Sequence, residues 1–504
     1  MLERLIRRLA IGVLLSGLMA AGAHAESVIR IGLQEDPDSF DPARAYSFVG
    51  RIVLASLCNR LIDVTPDLKF VPMLALSWST SDDGKAVTFK LRPGVKFSDG
   101  TEMDAAAVAL NLDRAMHLPE SRRKSEIAAL DTVDVVDPLT IRLNLKNPFA
   151  PLIAQLSDRA GLVASPKALQ NPAGFDQAPA CSGPFKFVER VAQDKIVLAR
   201  DPNYWDAGRI HIDRVEFRIM PDPAVRVANL RAGSLDFAER VLASDIAGLK
   251  ADPHFKVLVG PSLQYNGITI NIANGTGASP DFAKSKQLRE ALDLSIDREA
   301  INQVLFSGNA VPDNQPQAPA NIYHAPERPM KPRDIARAKE LVKASGVANP
   351  TLELMVTNSS DPIQLGQMLQ SMAKEAGIEI KLQTLEFQTQ LARQAKGDFQ
   401  ASLIGWSGRV DPDGNIYTLL GCKSPTNDCR YCADSEPLLL RAQAETNGEE
   451  RIKLYHEAIT KIVDDRPIIY LYHPPLVMAM TAKLNGYVFH TDGLIRLQDV
   501  SYAP

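Results

Sequence analysis

Residues 351–409 read TLELMVTNSSDPIQLGQMLQSMAKEAGIEIKLQTLEFQTQLARQAKGDFQASLIGWSGR. Leu352, Leu354 and Val356 alternate with polar neighbours, the period of a strand buried on one face. Leu365, Met368, Leu369 and Met372 then recur at helical spacing, and Gly377 supplies the residue that commonly follows a helix. Ile378, Ile380 and Leu382 alternate again, Phe387 to Lys396 returns to a short helical pattern, and Phe399 to Ile404 is a third strand. A β-α-β-α-β series of this kind builds a parallel sheet with right-handed crossovers. In an open α/β sheet, ligands sit beyond the carboxyl ends of the strands. Two segments leave those ends: Thr357-Asn358-Ser359-Ser360, and Trp406-Ser407-Gly408-Arg409, which runs into Asp411-Pro412-Asp413-Gly414. The second joins an aromatic surface, small residues with accessible backbone and a guanidinium, a combination suited to a polar ligand. The competing expectation is a capped surface turn whose Arg409 pairs with Asp411 or Asp413.

Upstream, Ile335, Ala338, Leu341 and Val342 share one face of a helix that begins at Asp334 and stops at Gly346. The N-terminal half has a different character, rich in strands. Residues 26–35 open as a strand, and residues 84–97 read as a hairpin through Pro93-Gly94. Asp104 is placed to cap a helix running to Met116. Residues 131–146 form a strand pair through Asp137-Pro138, and further strands are expected near 185–199 and 212–220. No internal repeat or low-complexity tract occurs.

The 504 residues suggest about three structural units. A content of 45% hydrophobic and 23% charged residues excludes a disordered chain. Lys and Arg number 56 against 60 Asp and Glu, so no basic excess points to a nucleic-acid partner. The one long apolar run is N-terminal. Arg4, Arg7 and Arg8 precede Leu9 to Ala21, and Ala23-His24-Ala25 follows, the pattern of an export signal cleaved near Ala25 rather than a spanning helix. No cysteine lies in that segment to carry a lipid anchor, so a soluble periplasmic protein is expected. Such a compartment permits disulfides. Of the 5 cysteines, Cys422, Cys429 and Cys432 cluster, while Cys58 and Cys181 are distant in sequence. Cys429 and Cys432 lack the second ligand pair of a zinc site, which favours a local disulfide. An odd count leaves one thiol over, and a Cys58–Cys181 bridge stays open.

Catalytic templates are missing. No H-E-x-x-H, Walker A or G-x-G-x-x-G sequence occurs. Gly405 to Arg409 only resembles a nucleophile elbow, because its fifth residue is Arg. Ser121 to Lys124 matches S-x-x-K without its companion motifs, and Arg122 and Arg123 there read as a solvated charged face. Asp411-x-Asp413 resembles part of a calcium loop, but Cys422 stands where the bidentate Glu belongs. The 8 histidines are scattered. No catalytic residue, metal or cofactor is expected.

Leu74 to Trp78, Gly84 to Gly100 (GKAVTFKLRPGVKFSDG) and Ala105 to Arg114 together resemble the signature of the family 5 extracellular solute-binding proteins, the periplasmic dipeptide, oligopeptide and nickel receptors of ABC importers. Ser182 to Lys186, Arg200 to Trp205, Leu230 to Asp236, Arg289 to Arg298 and Trp406 to Asp413 follow in the family's order. The resemblance implies an α/β, two-lobed periplasmic binding protein fold (type II, cluster C-like) with an extra β-rich subdomain in lobe I and a two-strand hinge. On this reading lobe I comprises residues 26–60, an accessory subdomain spans 61–181, and lobe I continues over 182–270. Lobe II spans 271–479, and residues 480–504 return to lobe I.

The implied function is non-catalytic capture of a peptide, or of a peptide-like or anionic small solute, between the lobes. Delivery to an inner-membrane ABC permease and its ATPases would follow, from a monomer. An exported hydrolase on a similar scaffold and a peptide-binding envelope chaperone are the alternatives. The expected ligand-binding set is Arg409, Trp406, Gly408, Asp411, Asn358, Ser359, Tyr46, Tyr265 and Asn271. The resemblance also implies a Cys422–Cys432 disulfide with Cys429 as an extra. The sequence departs from the peptide-binding branches at both ligand anchors. Gly408 and Arg409 stand where an acidic residue would hold a ligand ammonium, leaving Asp411 as the nearest carboxylate, and no arginine lies near Asn358. Arg409 therefore favours a carboxylate or phosphate on the ligand. Trp406 and Arg409 are expected at loop positions, where replacement affects binding and not folding. Nickel is disfavoured for want of a histidine cluster.

Overall fold

Two mixed sheets define two lobes. The computed structural model describes residues 26–172 and 174–503, and the expected export signal lies outside them. The first sheet has seven strands, in the order Phe255–Gly260, Leu476–Thr481, Phe237–Glu239, Val28–Leu33, Arg214–Ile219, Lys195–Arg200, Phe185–Val191. Its central strand buries Ile29, Ile31 and Leu33 in one cluster with the Phe48–Leu57 helix, which Ser47 caps by accepting from Gly50 N. That helix is buried along its whole length, and Arg51 lies within it.

The second sheet has six strands, in the order Val311–Pro312, Ile468–His473, Tyr265–Ile270, Ala401–Trp406, Thr351–Thr357, Glu379–Leu385. Thr351–Thr357 pairs in parallel with both Glu379–Leu385 and Ala401–Trp406, as the alternating pattern requires. The helices Ser360–Glu375 and Phe387–Lys396 make the crossovers. Ala401–Trp406 also pairs antiparallel with Tyr265–Ile270, which sets Tyr265 opposite Trp406.

The chain passes between the sheets twice, at residues 261–264 and at Pro474-Pro475. These crossings correct two expected boundaries. Tyr265–Ile270 belongs to lobe II and Leu476–Thr481 to lobe I, so the crossings precede residues 270 and 479. Alternating residues mark a strand but not the sheet it joins. The crossings are tied to each other, Ser262 Oγ donating to Pro474 O and His473 Nδ1 to Gln264 O.

The accessory region is a four-stranded antiparallel sheet, in the order Ala75–Thr80, Ala86–Leu91, Thr140–Leu145, Leu130–Asp137, packed on the Ala105–His117 helix. Asp104 caps that helix, accepting from Ala107 N. The hairpin expected through Pro93-Gly94 is instead formed one strand earlier, between Ala75–Thr80 and Ala86–Leu91. Val95 and Phe97 are buried, but between them only Lys96 bridges, to Glu102, so their apolar character serves packing and not a ladder. A Cys58–Cys181 disulfide joins the two ends of this region across 123 positions of sequence. Cys422 and Cys432 are also bonded, and Cys429 is a buried thiol. Among the described residues no helix is long and apolar enough to cross a membrane.

Candidate interlobe site

The Ala401–Trp406 strand delivers the Trp406–Arg409 loop to the boundary between the lobes. Gly408 there has a φ of +75°, and a Cβ on it would lie 2.1 Å from Leu263 O in the first crossing. Only glycine lets the loop lie this close to the crossing. Asn415 clamps the loop from the other side. Its Oδ1 accepts from Trp406 Nε1 at 3.1 Å and Arg409 N at 2.7 Å, and its Nδ2 donates to Arg409 O at 3.0 Å. The Arg409 guanidinium lies 4.4 Å from the Trp406 ring centre, within cation–π range. Tyr46, from the loop before the Phe48–Leu57 helix, approaches from the opposite lobe with its ring 6.1 Å from Trp406.

Arg409 does not pair within its own loop. Its Nε reaches Asp158 Oδ2 at 2.8 Å, across the lobe boundary. Arg51 grips the same carboxylate side-on, Nε to Oδ1 at 3.0 Å and Nη2 to Oδ2 at 3.0 Å. Ser407 Oγ accepts from both arginines, at 3.3 Å from Arg51 and 3.0 Å from Arg409. Arg123 pairs with Glu126 at 2.6 Å, and Arg159 adjoins Asp158 in sequence. All six charged groups are buried. Burial opposes the charge on Asp158, but Arg51 and Arg409 outweigh it and hold the carboxyl well below the usual range. Burial and the neighbouring Arg51 bring Arg409 down to about 10, so it stays cationic near neutral pH. The cluster thus gathers four guanidinium groups around two carboxylates.

A second set of charges flanks Tyr46. Arg122 stacks 5.5 Å from its ring centre, and Asp428 acts on its hydroxyl. Burial raises the Asp428 carboxyl to about 6 despite Arg122 and Arg430.

The expected set divides. Trp406, Gly408, Arg409 and Tyr46 converge at the boundary, and Tyr265 stands beside Trp406 with its ring edge-on to Tyr470 at 4.9 Å. Asp411 is a correction: Arg451 holds it bidentately at 2.7 and 2.8 Å inside lobe II. Asn271 is another. Its strand runs about 17 Å from Tyr265 to Ile270 at roughly 3.4 Å per residue, which puts Asn271 at the far edge of the sheet. There its Nδ2 donates to Asn274 O and Phe399 O and its Oδ1 accepts from Asn274 N, so the amide is consumed in joining loops. Asn358 lies at the same sheet edge as Trp406 but is exposed, and its N–H donates to Leu385 O. Ser359 begins the Ser360–Glu375 helix without a side-chain cap bond. Among the described residues no group of His, Cys, Asp and Glu could hold a metal ion.

Arg51, Arg123, Glu126, Asp158, Arg159 and Asn415 were not anticipated. The solvated face expected at Arg122-Arg123 is wrong for Arg123, which is 1% exposed. Ser121 Oγ accepts from Arg123 N and donates to Ala115 O, folding the segment back onto the preceding helix. The adjacent pairs Arg122-Arg123 and Asp158-Arg159 were the available signal, but adjacent charges usually mark solvent.

The residue pattern of the family described as bacterial extracellular solute-binding proteins, family 5 middle, matches residues 69–427. The glutathione-binding protein GsiB of Pectobacterium atrosepticum is 29% identical over 495 residues, spanning 95% of this chain and 94% of its own. Among solved structures, the periplasmic binding protein DppA from Helicobacter pylori, in complex with the peptide STSA, superposes with a TM-score of 0.88 at 24% identity, covering 95% of this chain and 98% of that one. The Escherichia coli murein tripeptide-binding protein MppA gives 0.88 at 21% identity, covering 95% and 99%. At these identities the superpositions establish the fold.

Proposed function

The chain belongs to the family 5 bacterial extracellular solute-binding proteins, and from that premise we propose that it captures a small anionic, peptide-like solute between its lobes and hands it to an ABC importer. The observation that carries the reading is the buried Arg51–Asp158–Arg409 junction beside Tyr46 and Trp406. Residues from both lobes meet there, so closure assembles the site, and closing is favourable when a ligand adds contacts made only in the closed state. Arg409 supplies a charge-assisted donor for an oxyanion through Nη2, its Nε and Nη1 being engaged by Asp158, Ser407 and Gly408 O, and Trp406 with Tyr46 supplies flat apolar surface. Asp428, beside Tyr46, is the carboxylate positioned to receive an ammonium in place of the displaced Asp411. Glutathione, which the relative GsiB is named for binding, is the natural first probe, since it combines carboxylates with an ammonium.

On this reading the protein works in the periplasm after cleavage near Ala25, as a monomer that serves a membrane permease and its ATPases. A family of binding proteins does not favour the hydrolase or chaperone alternatives. The test is native mass spectrometry of freshly purified protein together with calorimetric titration of glutathione and dipeptides. A retained small solute, or one-to-one binding without turnover, supports the proposal. Binding of no member of the panel with no retained solute, or chemical conversion of a bound one, overturns it.

A further inference from the structure

The positive charge gathered at the lobe boundary exceeds what the protein balances, and the excess is concentrated on Arg159. Arg51 and Arg409 share Asp158, and Arg123 has Glu126. The neighbouring Arg60 and Arg496 are matched by Asp63 and Asp492. Arg159 is 2% exposed, yet among the described residues its guanidinium makes only a long hydrogen bond, Nη1 to Ser47 O at 3.4 Å. Its Nε and Nη2 have no hydrogen-bond partner among the described residues, and neither does Arg409 Nη2. Nε and Nη2 lie on one edge of the guanidinium plane. That edge takes two oxygens of a carboxylate or phosphate side-on, as Arg51 does with Asp158. A buried charge with neither a counter-charge of its own nor a full set of hydrogen bonds is strongly disfavoured, so a folded protein keeps such a group where something else completes it.

We propose that Arg159 is a second anion anchor of the interlobe site, and that the captured solute brings two negative charges to this cluster, as two carboxylates or as one phosphate group. One oxyanion lies along the Arg159 Nε–Nη2 edge, and Arg409 Nη2 receives the remaining oxygens. The inference rests on the reading of the lobe boundary as the ligand site and deepens it. A dipeptide with uncharged side chains carries one carboxylate and leaves half of the cluster unanswered.

The test compares wild type, Arg159→Gln and Arg159→Lys, each full-length protein stripped of solute by unfolding and refolding. Melting temperatures are read in acetate, succinate and phosphate at equal ionic strength, and glutathione and Ala-Ala are titrated calorimetrically. Stripped Arg159→Gln is expected to melt several degrees above wild type, because an unbalanced charge is gone. Succinate or phosphate should raise the wild-type melting temperature more than acetate does, and whichever acts more strongly identifies a dicarboxylate or a phosphate. Both substitutions should abolish that discrimination, and Arg159→Lys, which keeps the charge but lacks the fork, guards against a folding defect in the other. Glutathione should bind at least tenfold more weakly to either variant. Glutathione bound equally well by wild type and both variants would overturn the second anchor while leaving the interlobe site intact. No discrimination among the three anions by wild type, with Arg159→Gln melting below it, would overturn the inference without any ligand being known.

Discussion

Arg451 and Arg159 are both buried arginines close to an aspartate, yet the protein treats them in opposite ways. Arg451 is complete: Nε donates to Ala442 O, Nη1 to Tyr323 Oη and Asp411, and Nη2 to Asp411 and Tyr455 Oη. Burial opposes its charge, but the Asp411 hydrogen bonds overcome this and raise its pKa. Burial and the nearby Arg123 and Arg409 instead push the Arg159 pKa well down. The first arrangement is architecture inside lobe II. The second, at the lobe boundary, is unfinished until a partner arrives. Burial and residue type are the same in both, so the number of hydrogen bonds and counter-charges is what separates a structural arginine from one poised for a ligand.

Four substitutions sharpen or break this contrast. Arg451→Ala should have the largest effect, since removing one partner of a buried pair costs about 3–5 kcal/mol. Urea unfolding should show that loss, and a change within experimental error would mean the Arg451–Asp411 pair carries no structural weight. Trp406→Ala comes next. Trp406 ends a strand and is 8% exposed, packed in the same cluster as Tyr265 and Tyr417, so it is not the loop residue the sequence suggests. Truncating a buried tryptophan costs about 3–5 kcal/mol, so both stability and affinity should fall. Full stability with lost affinity would show that Trp406 serves the ligand alone.

Arg409→Ala should leave stability near wild type, because Arg51 still holds Asp158. A charged hydrogen bond contributes about 1.5–3 kcal/mol, so the solute found by mass spectrometry should bind roughly ten- to a hundredfold more weakly. Unchanged affinity would make Arg409 only a bridge between the lobes. The smallest effect is expected at Asp413, next to the complete pair. Burial and the adjacent Asp411 raise its carboxyl to about 7, with Gln443 Nε2 donating to it at 2.7 Å. A folded-state pKa above the unfolded value of about 3.9 means that its stabilising contribution is full below about pH 4. It is lost as the pH rises through about 7. Wild type should therefore be less stable at about pH 8 than at about pH 5, and Asp413→Asn should reduce that slope. Some slope should persist, because burial also raises Asp428 to about 6 and Glu35 to about 7. An undiminished slope in Asp413→Asn would place the titration on those other groups.

The parallel core of lobe II was open to reading because each strand and helix in residues 351–406 carries its own period, and each period reports burial of one face. The Trp406–Arg409 loop followed from that, since the sheet's carboxyl edge is a consequence of strand direction. Asp411 and Asn271 misled for one reason: a polar residue near a site in sequence looks available until its partners are known. Arg451, which takes Asp411, lies 40 positions away.

By itself the sequence determined the strands and helices of residues 351–406, the apolar faces that make them pack, and the family to which the motifs belong. All of these are local or periodic properties of the chain. The tertiary structure alone decided which sheet Tyr265–Ile270 and Leu476–Thr481 join, that Cys58 reaches Cys181, and that Arg51, Arg123, Arg159 and Arg409 share one buried place with the carboxylates of Asp158 and Glu126. Charge balance is a sum over groups brought together from distant positions, and no periodicity along the chain records it.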